Sequence, residues 1–261
     1  MKNKVDVIIF SGQSNMVGES EGLPLSNETD PHIMEYRFSS NQLTILKHPI
    51  GEDLFDGALE GSVKGGGSLV FEFCKSYFSI TGSRVVAVHA ACGSTTIADW
   101  MFGTMREYWA KTKINSAFKK VKEKFAIRHV YFVWLQGESD ALIKTSEEEY
   151  LRKLITLKEQ VKREFGVEKF CIIKVGYFVS EVSWVSGKKD ELVRADESIM
   201  HAQERAVKED KDFIMLSRIC CELSKNRDYI NPNEEGHYNN KALDLIGKES
   251  GMALAELSVW C

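Results

Sequence analysis

The chain alternates short apolar runs with longer segments of helical periodicity, and this alternation restricts its fold more than any other feature of the sequence. The runs are rich in Val, Ile and Phe and lack strict apolar–polar alternation, which is typical of strands buried on both faces. They cover residues 5–10, 84–89, 129–135, 170–178 and 213–216. With helices between them, these five runs predict a parallel sheet covered by helices on both faces.

The helical segments cover residues 68–78, 113–125, 145–166, 194–207 and 239–257. Ser68 is the expected N-cap of the first, and Ser146 and Glu149 have capping-box spacing in the third, which ends at Gly166. Two long irregular connections, residues 22–67 and 179–193, interrupt the pattern, and such connections are usually functional or mobile. Since open α/β sheets bind ligands at the carboxyl ends of their strands, we expect these loops to gather there.

Composition bounds the domain count and excludes several function classes. A chain of 261 residues is large for one domain but allowed for an α/β fold, so its length is compatible with a single domain over residues 1–261. The net charge of −4 disfavours nucleic-acid binding, which needs a basic surface. No apolar run reaches the ~18 residues of a membrane span, and the apolar stretch near the N-terminus is too short for a signal peptide. These observations predict a cytoplasmic protein without nucleic-acid or membrane partners.

The six cysteines show no CxxC spacing and no Cys/His cluster, which disfavours a zinc site and a disulfide scaffold. We therefore expect reduced thiols. Cys92 lies within a motif discussed below, and packing is a commoner role for it than nucleophilic catalysis.

The stretch FSGQSNMVGES, residues 10–20, places Ser14 where the first buried strand turns into the next element. A serine there caps a helix, or it is a nucleophile whose oxyanion is stabilised by the free N–H groups of the helix N-terminus. Met16 stands where G-x-S-x-G needs its second glycine, so the α/β-hydrolase elbow is excluded. Taken alone, the stretch favours the capping serine.

A serine nucleophile needs a base, and His237 is the most informative of the six histidines. It follows NPNEEG and precedes the last helical segment, with Glu234 three residues before it. That spacing can bring a carboxylate to the imidazole N–H, which fixes the tautomer and orientation of the ring. A loop histidine near surface acids is the alternative. His89 and His129 lie on or beside apolar runs, where we expect buried structural residues.

The cluster VWLQGESDA, residues 133–141, ends another apolar run. The side-chain amide of Gln136 is suited to donate to a developing oxyanion. Glu138 and Asp140 order the loop, contact a polar substrate or form a solvated turn, and the residues alone leave these alternatives open.

The cluster HAACGSTTIADW, residues 89–100, follows the second apolar run. Gly93 lets the backbone approach a ligand closely, and its N–H is a candidate second oxyanion donor. Trp100 offers an aromatic face to a sugar ring or, more commonly, packs in the core.

Together, these clusters resemble the motifs of the SGNH hydrolase superfamily, and most closely its carbohydrate esterases of the acetylxylan esterase and sialate O-acetylesterase type. GQSNM at 12–16 is similar to the family's first block, CGSTTIADW at 92–100 to the second, WLQGESDA at 134–141 to the third and GHYN at 236–239 to the last. The resemblance spans residues 5 to about 245. It implies one doubly wound, three-layer α/β/α domain with a mostly parallel five-stranded sheet.

The resemblance further implies acyl-ester hydrolysis without a metal or other cofactor. It makes Ser14 the nucleophile, His237 the base and Glu234 the acid, with an oxyanion hole formed by Ser14 N–H, Gly93 N–H and the Gln136 side chain. The residues expected to bind substrate or to order the loops are Gln13, Asn15, Glu138, Asp140 and Trp100.

Two positions depart from the family pattern. Glu234 stands where an aspartate is usual, so the acid behind His237 is Glu234, Glu235 or Glu138. Ser94 stands where a second glycine is common, and its Cβ narrows the approach to the acyl oxygen or changes which N–H acts.

The reaction expected from the resemblance is removal of acetyl groups from an acetylated oligosaccharide or glycoside through an acetyl-enzyme intermediate. One alternative is an inactive carbohydrate-binding protein on the same fold. Another is a short-chain lipase or thioesterase of the same superfamily, although the QGESD block and the polar turn after Cys92 suit a sugar better.

Overall fold

The computed structural model describes residues 2–24, 28–51, 59, 66–177, 197–234 and 236–260, and a seven-stranded sheet crosses this part of the protein. Its strands are β1 (Lys4–Gly12), β2 (Ile33–Arg37), β3 (Gln42–Ile45), β4 (Val85–Ala91), β5 (Ala126–Leu135), β6 (Lys169–Ile173) and β7 (Phe213–Ser217). They lie in the order β3-β2-β4-β1-β5-β6-β7, and every neighbouring pair is parallel except the antiparallel pair β2–β3. The predicted α/β class with a mostly parallel sheet is confirmed.

The predicted number of strands is wrong by two. The five apolar runs form β1, β4, β5, β6 and β7, but β2 and β3 lie inside residues 22–67, which were expected to be irregular. Both escape a search for apolar runs because of their composition. Glu35 and Arg37 interrupt β2, where they form an ion pair, and β3 is an edge strand that buries none of its residues fully. The second long connection, residues 179–193, lies outside the described residues.

Helices follow most of the strands. They are α1 (Ser14–Val17), α2 (Leu69–Thr81), α3 (Met105–Lys124), α4 (Glu138–Leu142), α5 (Glu147–Phe165), α6 (Glu197–Glu209), α7 (Cys220–Leu223) and α8 (Asn240–Trp260). The predicted caps of two helices are present, since Ser68 accepts from Val70 N–H and Ser146 accepts from Glu149 N–H. Helix α3 begins eight residues before its predicted start because Thr104 caps it, accepting from Glu107 N–H.

Two cores lie on opposite faces of the sheet. One is between the sheet and α3, α5 and α6, and the other is between the sheet and α2 and α8. Side chains of β1 alternate between them: Val7 and Ile9 enter the first core, and Ile8 and Phe10 the second. All four are fully buried, which explains why the strands are continuously apolar in sequence.

The cysteines of the described residues are free thiols. Cys92 is buried in the first core, as its predicted packing role requires. Burial raises the pKa of the Cys171 thiol to about 12, so this thiol stays protonated at neutral pH. Cys261 lies outside the described residues. Among the helices of the described part of the chain, none combines the length and apolar content needed to cross a bilayer.

Strand register brings three of the sequence motifs to one edge of the sheet. Gly12 at the end of β1 pairs with Ala91 of β4 on one side and with Leu135 of β5 on the other. The pairing continues beyond the strands, because Cys92 N–H donates to Gly12 O at 3.0 Å and Gln13 N–H donates to Leu135 O at 3.1 Å. The first three motifs therefore leave the sheet side by side at the carboxyl ends of its strands.

The close approach of β1 to β5 predicts the effect of Gly12→Ala. Gly12 has φ +145°, and a Cβ there would lie 1.9 Å from Leu135 O. We expect the substitution to lower the free energy of unfolding by about 3 kcal/mol or more, measured by urea denaturation. Gly82→Ala is the control, since Gly82 has φ +63° but a Cβ there would have no neighbour within 4 Å, and it should cost only about 1 kcal/mol. Equal losses in the two variants would contradict the steric explanation.

Candidate active site

Ser14 is the first residue of α1 and is 5% exposed. Gln13 occupies the N-cap position, but its side chain makes no capping hydrogen bond. The first turn of α1 therefore presents backbone N–H groups that no side chain caps, beside the serine hydroxyl. Such groups stabilise negative charge on a neighbouring oxygen. The predicted alternative, a serine that merely caps a helix, does not describe this position because Gln13 is the N-cap.

Instead of capping α1, the Gln13 side chain orders the third motif. Its Oε1 accepts from Gly137 N–H at 3.4 Å, Ser139 N–H at 3.2 Å and Gln136 Nε2 at 3.3 Å. Gln13 is only 3% exposed, so this oxygen is well shielded from solvent. Of its two predicted roles, the contacts of Gln13 are those of a residue that orders a loop.

Gln136 is fully buried, and its side-chain amide is engaged by the protein. Its Nε2 donates to Thr95 O at 2.9 Å and to Asp140 Oδ2 at 2.7 Å, and its Oε1 accepts from Tyr150 O–H at 3.1 Å. A role for Gln136 in the oxyanion hole stays a prediction. It requires the amide to exchange one of these bonds for a bond to the substrate.

Asp140 joins the third motif to the second. Its Oδ2 accepts from Ile97 N–H at 2.7 Å as well as from Gln136, and its Oδ1 accepts from Thr145 Oγ1 at 2.9 Å. Burial raises the pKa of the Asp140 carboxyl, although these hydrogen bonds oppose the shift. Asp140 is 1% exposed, so its contacts are those of a residue that orders the loops and not those of a solvated turn.

The second motif forms the loop after β4. Trp100 is buried, its Nε1 donates to Thr95 Oγ1 at 3.1 Å, and its ring packs edge-on against Trp134. It therefore takes the core alternative and presents no open face to a sugar. Ser94 is exposed with φ +55°, a left-handed conformation that glycine adopts more easily. Gly93 directly precedes it, and its donor role stays a prediction.

Asn15 connects Ser14, its neighbour in α1, to the fourth motif. Its Nδ2 donates to Gly236 O at 3.4 Å, and its Oδ1 accepts from Tyr238 N–H at 3.2 Å. These two groups lie on either side of His237 in the chain, so the Asn15 amide holds the turn that carries the histidine. The same Nδ2 also donates to Glu138 Oε1 at 2.7 Å. One buried side chain thereby links three motifs.

Glu138 is a buried carboxyl group close to the histidine. It is 3% exposed, and its Oε2 has no hydrogen-bond partner among the described residues. Burial raises the pKa of Glu138, while donation from Asn15 and the charge of His237 lower it, and burial dominates. Glu138 forms no ion pair with His237 within the described residues, although the two groups interact electrostatically.

His237 lies between two carboxylates. Its side chain is 12% exposed, with Nδ1 4.0 Å from Glu234 Oε1 and Nε2 3.5 Å from Glu19 Oε2. Neither contact meets hydrogen-bond geometry, and Nδ1 has no hydrogen-bond partner in the described part of the chain. Glu234 therefore lies on the predicted side of the ring but at a distance too long for a hydrogen bond. Glu235 lies outside the described residues.

Glu19 was not predicted from the sequence. It follows α1, which has only four residues, so Glu19 is five residues after Ser14 and its side chain lies beside His237. The signal was its nearness in sequence to the first motif, within GQSNMVGES at 12–20. Ser14 Oγ and the His237 ring form no hydrogen bond in the described structure, and Asn15 is what connects their segments.

The described residues contain one group of side chains spaced to hold a metal ion. Ligand atoms of Glu19, Glu234 and His237 lie within 4.8 Å of one another. Glu234 is 45% exposed, and carboxylates placed around an imidazole also serve its charged form without a metal. The geometry alone does not favour a metal over an acid–base role.

His89 is a buried histidine that bonds the backbone of α1. It lies on β4, is 1% exposed, and its Nε2 is 3.1 Å from Met16 O, so the neutral ring donates to the backbone of α1. Burial lowers the pKa of His89 to about 3, which keeps the ring uncharged. Its predicted role as a buried structural residue is therefore correct. His129, in contrast, has a 28% exposed side chain and faces Glu168.

Comparison with known proteins identifies the family. The family model described as "Carbohydrate esterase, sialic acid-specific acetylesterase" matches residues 4–250, which is nearly the whole chain. The protein belongs to this carbohydrate esterase family. It is therefore a carboxylic ester hydrolase by family, and the resemblance predicted from its motifs is confirmed. No curated protein matches the chain.

Solved structures agree with this carbohydrate esterase assignment at the level of the fold. A protein from Arabidopsis thaliana is similar with a TM-score of 0.71 and 17% identity, covering 100% of both chains. NanS is similar with a TM-score of 0.66 and 14% identity, covering 99% of this chain and 98% of its own. A carbohydrate acetylesterase from Xanthomonas citri has a TM-score of 0.56 and 18% identity, over 97% of this chain and 56% of its own.

The contacts of Asn15 predict the behaviour of Asn15→Ala in this esterase. Without the amide, the His237 turn loses its link to α1, so we expect kcat to fall by about 10²-fold with little change in KM. Stability should fall by about 1–3 kcal/mol. The loss of stability should grow as pH rises. Without Asn15, the charged form of Glu138 loses a hydrogen-bond donor, so its already raised pKa rises further.

Kinetics and urea denaturation between pH 5 and pH 8 measure both effects. Asn226→Ala is the control, since Asn226 is an exposed asparagine that caps a short helix at Arg227–Tyr229, and it should leave kcat unchanged. Wild-type kcat in Asn15→Ala would show that other contacts hold the turn.

The buried state of His89 predicts part of the pH dependence of stability. An unfolded histidine titrates near pH 6.5, whereas folded His89 titrates near 3. Between these values the unfolded chain binds one more proton, so stability falls as pH falls, by about 1.4 kcal/mol per pH unit. His89→Gln keeps a donor for Met16 O without titrating. The slope of unfolding free energy against pH between 4 and 6 should flatten by about that amount.

The matched control is His201→Gln on α6, because the His201 side chain is 66% exposed. This variant should keep the wild-type slope. An unchanged slope in His89→Gln would mean that His89 is charged in the folded protein.

Proposed function

We propose that this carbohydrate esterase is a serine hydrolase that removes acetyl groups from acetylated oligosaccharides or glycosides. The observation that carries the proposal is the arrangement around Asn15. This residue follows Ser14 at the uncapped start of α1 and bonds the backbone on both sides of His237. The arrangement links a candidate nucleophile to a candidate base, in a chain whose family hydrolyses carbohydrate esters.

In the proposed reaction, Ser14 Oγ attacks the acetyl carbonyl carbon as His237 takes the hydroxyl proton. The carbonyl double bond opens, and its electron pair forms an oxyanion at the first turn of α1. The tetrahedral intermediate then expels the sugar oxygen, which takes the proton from His237. Water attacks the acetyl-enzyme in the same way and releases acetate, so the enzyme returns to its starting state.

The proposed oxyanion hole consists of the backbone N–H groups of Ser14 and Gly93, with Gln136 as the predicted third donor. The uncapped turn of α1 supports the first donor. The position of Gly93 just past the strand that pairs with Gly12 supports the second. The third is the weakest, since the Gln136 amide already donates to Thr95 O and Asp140.

The substrate is proposed at the level of class. The family description names sialic acid, and the polar loops after β4 and β5 suit a hydroxyl-rich ligand better than an acyl chain. No metal or other cofactor is included in the proposal, so activity should survive dialysis against EDTA. The predicted cytoplasmic location stays a prediction.

The test is acetate release from p-nitrophenyl acetate, O-acetylated sialic acid and acetylated xylo-oligosaccharides. We expect Ser14→Ala to lower kcat by about 10³-fold or more and to abolish labelling by a fluorophosphonate. Ser11→Ala is the matched control. Ser11 lies three residues earlier on β1, and its buried hydroxyl has no hydrogen-bond partner in the described structure, so its removal should leave kcat unchanged.

Three outcomes would contradict the proposal. Full activity in Ser14→Ala would exclude the serine mechanism. Binding of acetylated sugars without hydrolysis or fluorophosphonate labelling would indicate the inactive binding protein. Activity that rises from acetyl to longer acyl groups would favour the lipase or thioesterase.

A further inference from the structure

Glu19 has the closest carboxylate oxygen to the imidazole nitrogens of His237 among the described residues. Its Oε2 lies 3.5 Å from Nε2, against 4.0 Å between Glu234 Oε1 and Nδ1. The two carboxylates also differ in shielding, since the Glu19 side chain is 16% exposed and that of Glu234 is 45% exposed. At similar distances, the less exposed charge acts more strongly because water screens it less.

The backbones of Glu19 and His237 are joined through one buried residue, Asn231. Asn231 is 2% exposed, and its Nδ2 donates to Glu19 O at 2.9 Å. The backbone N–H of the same residue donates to His237 O at 2.8 Å. The separation of Glu19 from His237 is therefore set by one residue that bonds both.

A second set of bonds fixes the loop after Glu19 to the start of α8. Asn240 N–H donates to Glu21 Oε2 at 2.9 Å, and Asn240 Nδ2 donates to Gly22 O at 2.8 Å. Ser20 Oγ donates to Asn240 Oδ1 at 2.8 Å. These contacts hold residues 20–22 against the helix that His237 precedes. These bonds fix the backbone that carries Glu19, so its carboxylate needs less further ordering when the imidazole becomes charged.

From these contacts, we propose that Glu19 is a positioning residue of the esterase reaction, which stabilises the imidazolium formed when His237 takes the Ser14 proton. The inference rests on the proposed function. Glu19 gains no proton and forms no bond to substrate. Its charge acts on the ring, whose attraction to the carboxylate grows once the proton arrives. This assigns the work of the acid to the loop after the nucleophile, and not to the residue three positions before the histidine.

The pH dependence of this arrangement involves every described charge that faces His237. Glu19 comes from the loop after α1, Glu234 from the turn before His237 and Glu138 from α4. Removing Glu19 takes away the closest of the three carboxylates, so the protonated ring should become less stable relative to the neutral ring.

The experiment compares Glu19→Gln with two other Glu→Gln variants in the full-length protein, using p-nitrophenyl acetate. We expect Glu19→Gln to lower kcat by about tenfold or more, with KM changed less than about threefold. The acidic limb of kcat/KM against pH should move to lower pH, by about half a unit or more, because the base loses its nearest anion. Glu19→Asp keeps the charge at a longer distance and should lie between Glu19→Gln and the wild type.

The controls separate a local charge effect from a structural one. Glu123→Gln removes an exposed carboxylate on α3 that is paired with Lys120 and has no contact with the loop of Glu19 in the described structure, so it should change neither kcat nor the acidic limb. Glu234→Gln should change kcat less than about threefold. If activity is too low to give a pH profile, NMR titration of the His237 ring in Ser14→Ala, with and without Glu19→Gln, measures the change in the pKa of the ring directly. If Glu19→Gln does not fold, the same titration is measured in Glu19→Asp.

An unchanged kcat and acidic limb in Glu19→Gln would overturn the proposal. So would a larger effect of Glu234→Gln, which would return the acid role to the predicted residue. Failure of the proposed function is distinguishable, because it shows as retained activity in Ser14→Ala. If Ser14→Ala is inactive and Glu19→Gln behaves as the wild type, the serine mechanism stands and only the role of Glu19 falls.

Discussion

The hydrogen bonds of two amide side chains, Gln13 and Asn15, hold the candidate site together. They flank Ser14 and bond different parts of the site. Gln13 bonds the backbone of the third motif, and Asn15 bonds the backbone of the fourth. The parallel register at Gly12 brings strand ends to one edge, but it does not determine the paths of the loops beyond them. The two amides do so, because each satisfies backbone groups of a segment more than 120 residues away in sequence. The position of Ser14 thus depends on the same residues that place its partners.

Burial makes this network rigid. Gln136, Asp140 and Glu138 are between 0% and 3% exposed, and polar groups at that depth destabilise the fold unless they are hydrogen-bonded. Most of their atoms are satisfied by one another or by backbone, so a displacement of any one member would leave others unpaired. Loops that carry a site are usually the mobile part of an α/β fold. Here buried amides and carboxyls bond the loops to one another, which suits chemistry that depends on donors already in place.

The sequence was informative where one physical requirement dominates. Strands buried on both faces must be apolar throughout, so five of seven were predicted, and the caps Ser68 and Ser146 correctly marked the starts of two helices. Strands β2 and β3 escaped because the Glu35–Arg37 ion pair places charges within β2, and because β3 is a partly exposed edge strand. Ser14 and His237 could be singled out by their motifs, but the roles of their neighbours could not. Whether Trp100 and Gln136 face a substrate or the interior depends on packing between segments, which local sequence does not encode.

The acid behind His237 shows this limit most clearly. Sequence spacing pointed to Glu234, since a carboxylate three residues from a histidine can reach its ring. In the structure that side chain is half-exposed and too distant for a hydrogen bond, so water weakens its effect on the imidazole. Glu138 is close but deeply buried, and burial opposes the charge that it would need. Glu19 lies between these extremes, since its side chain is 16% exposed and its Oε2 is 3.5 Å from the ring. In the proposed arrangement the loop after α1 supplies the carboxylate that acts on the ring, so the glutamate at position 234 need not reach it.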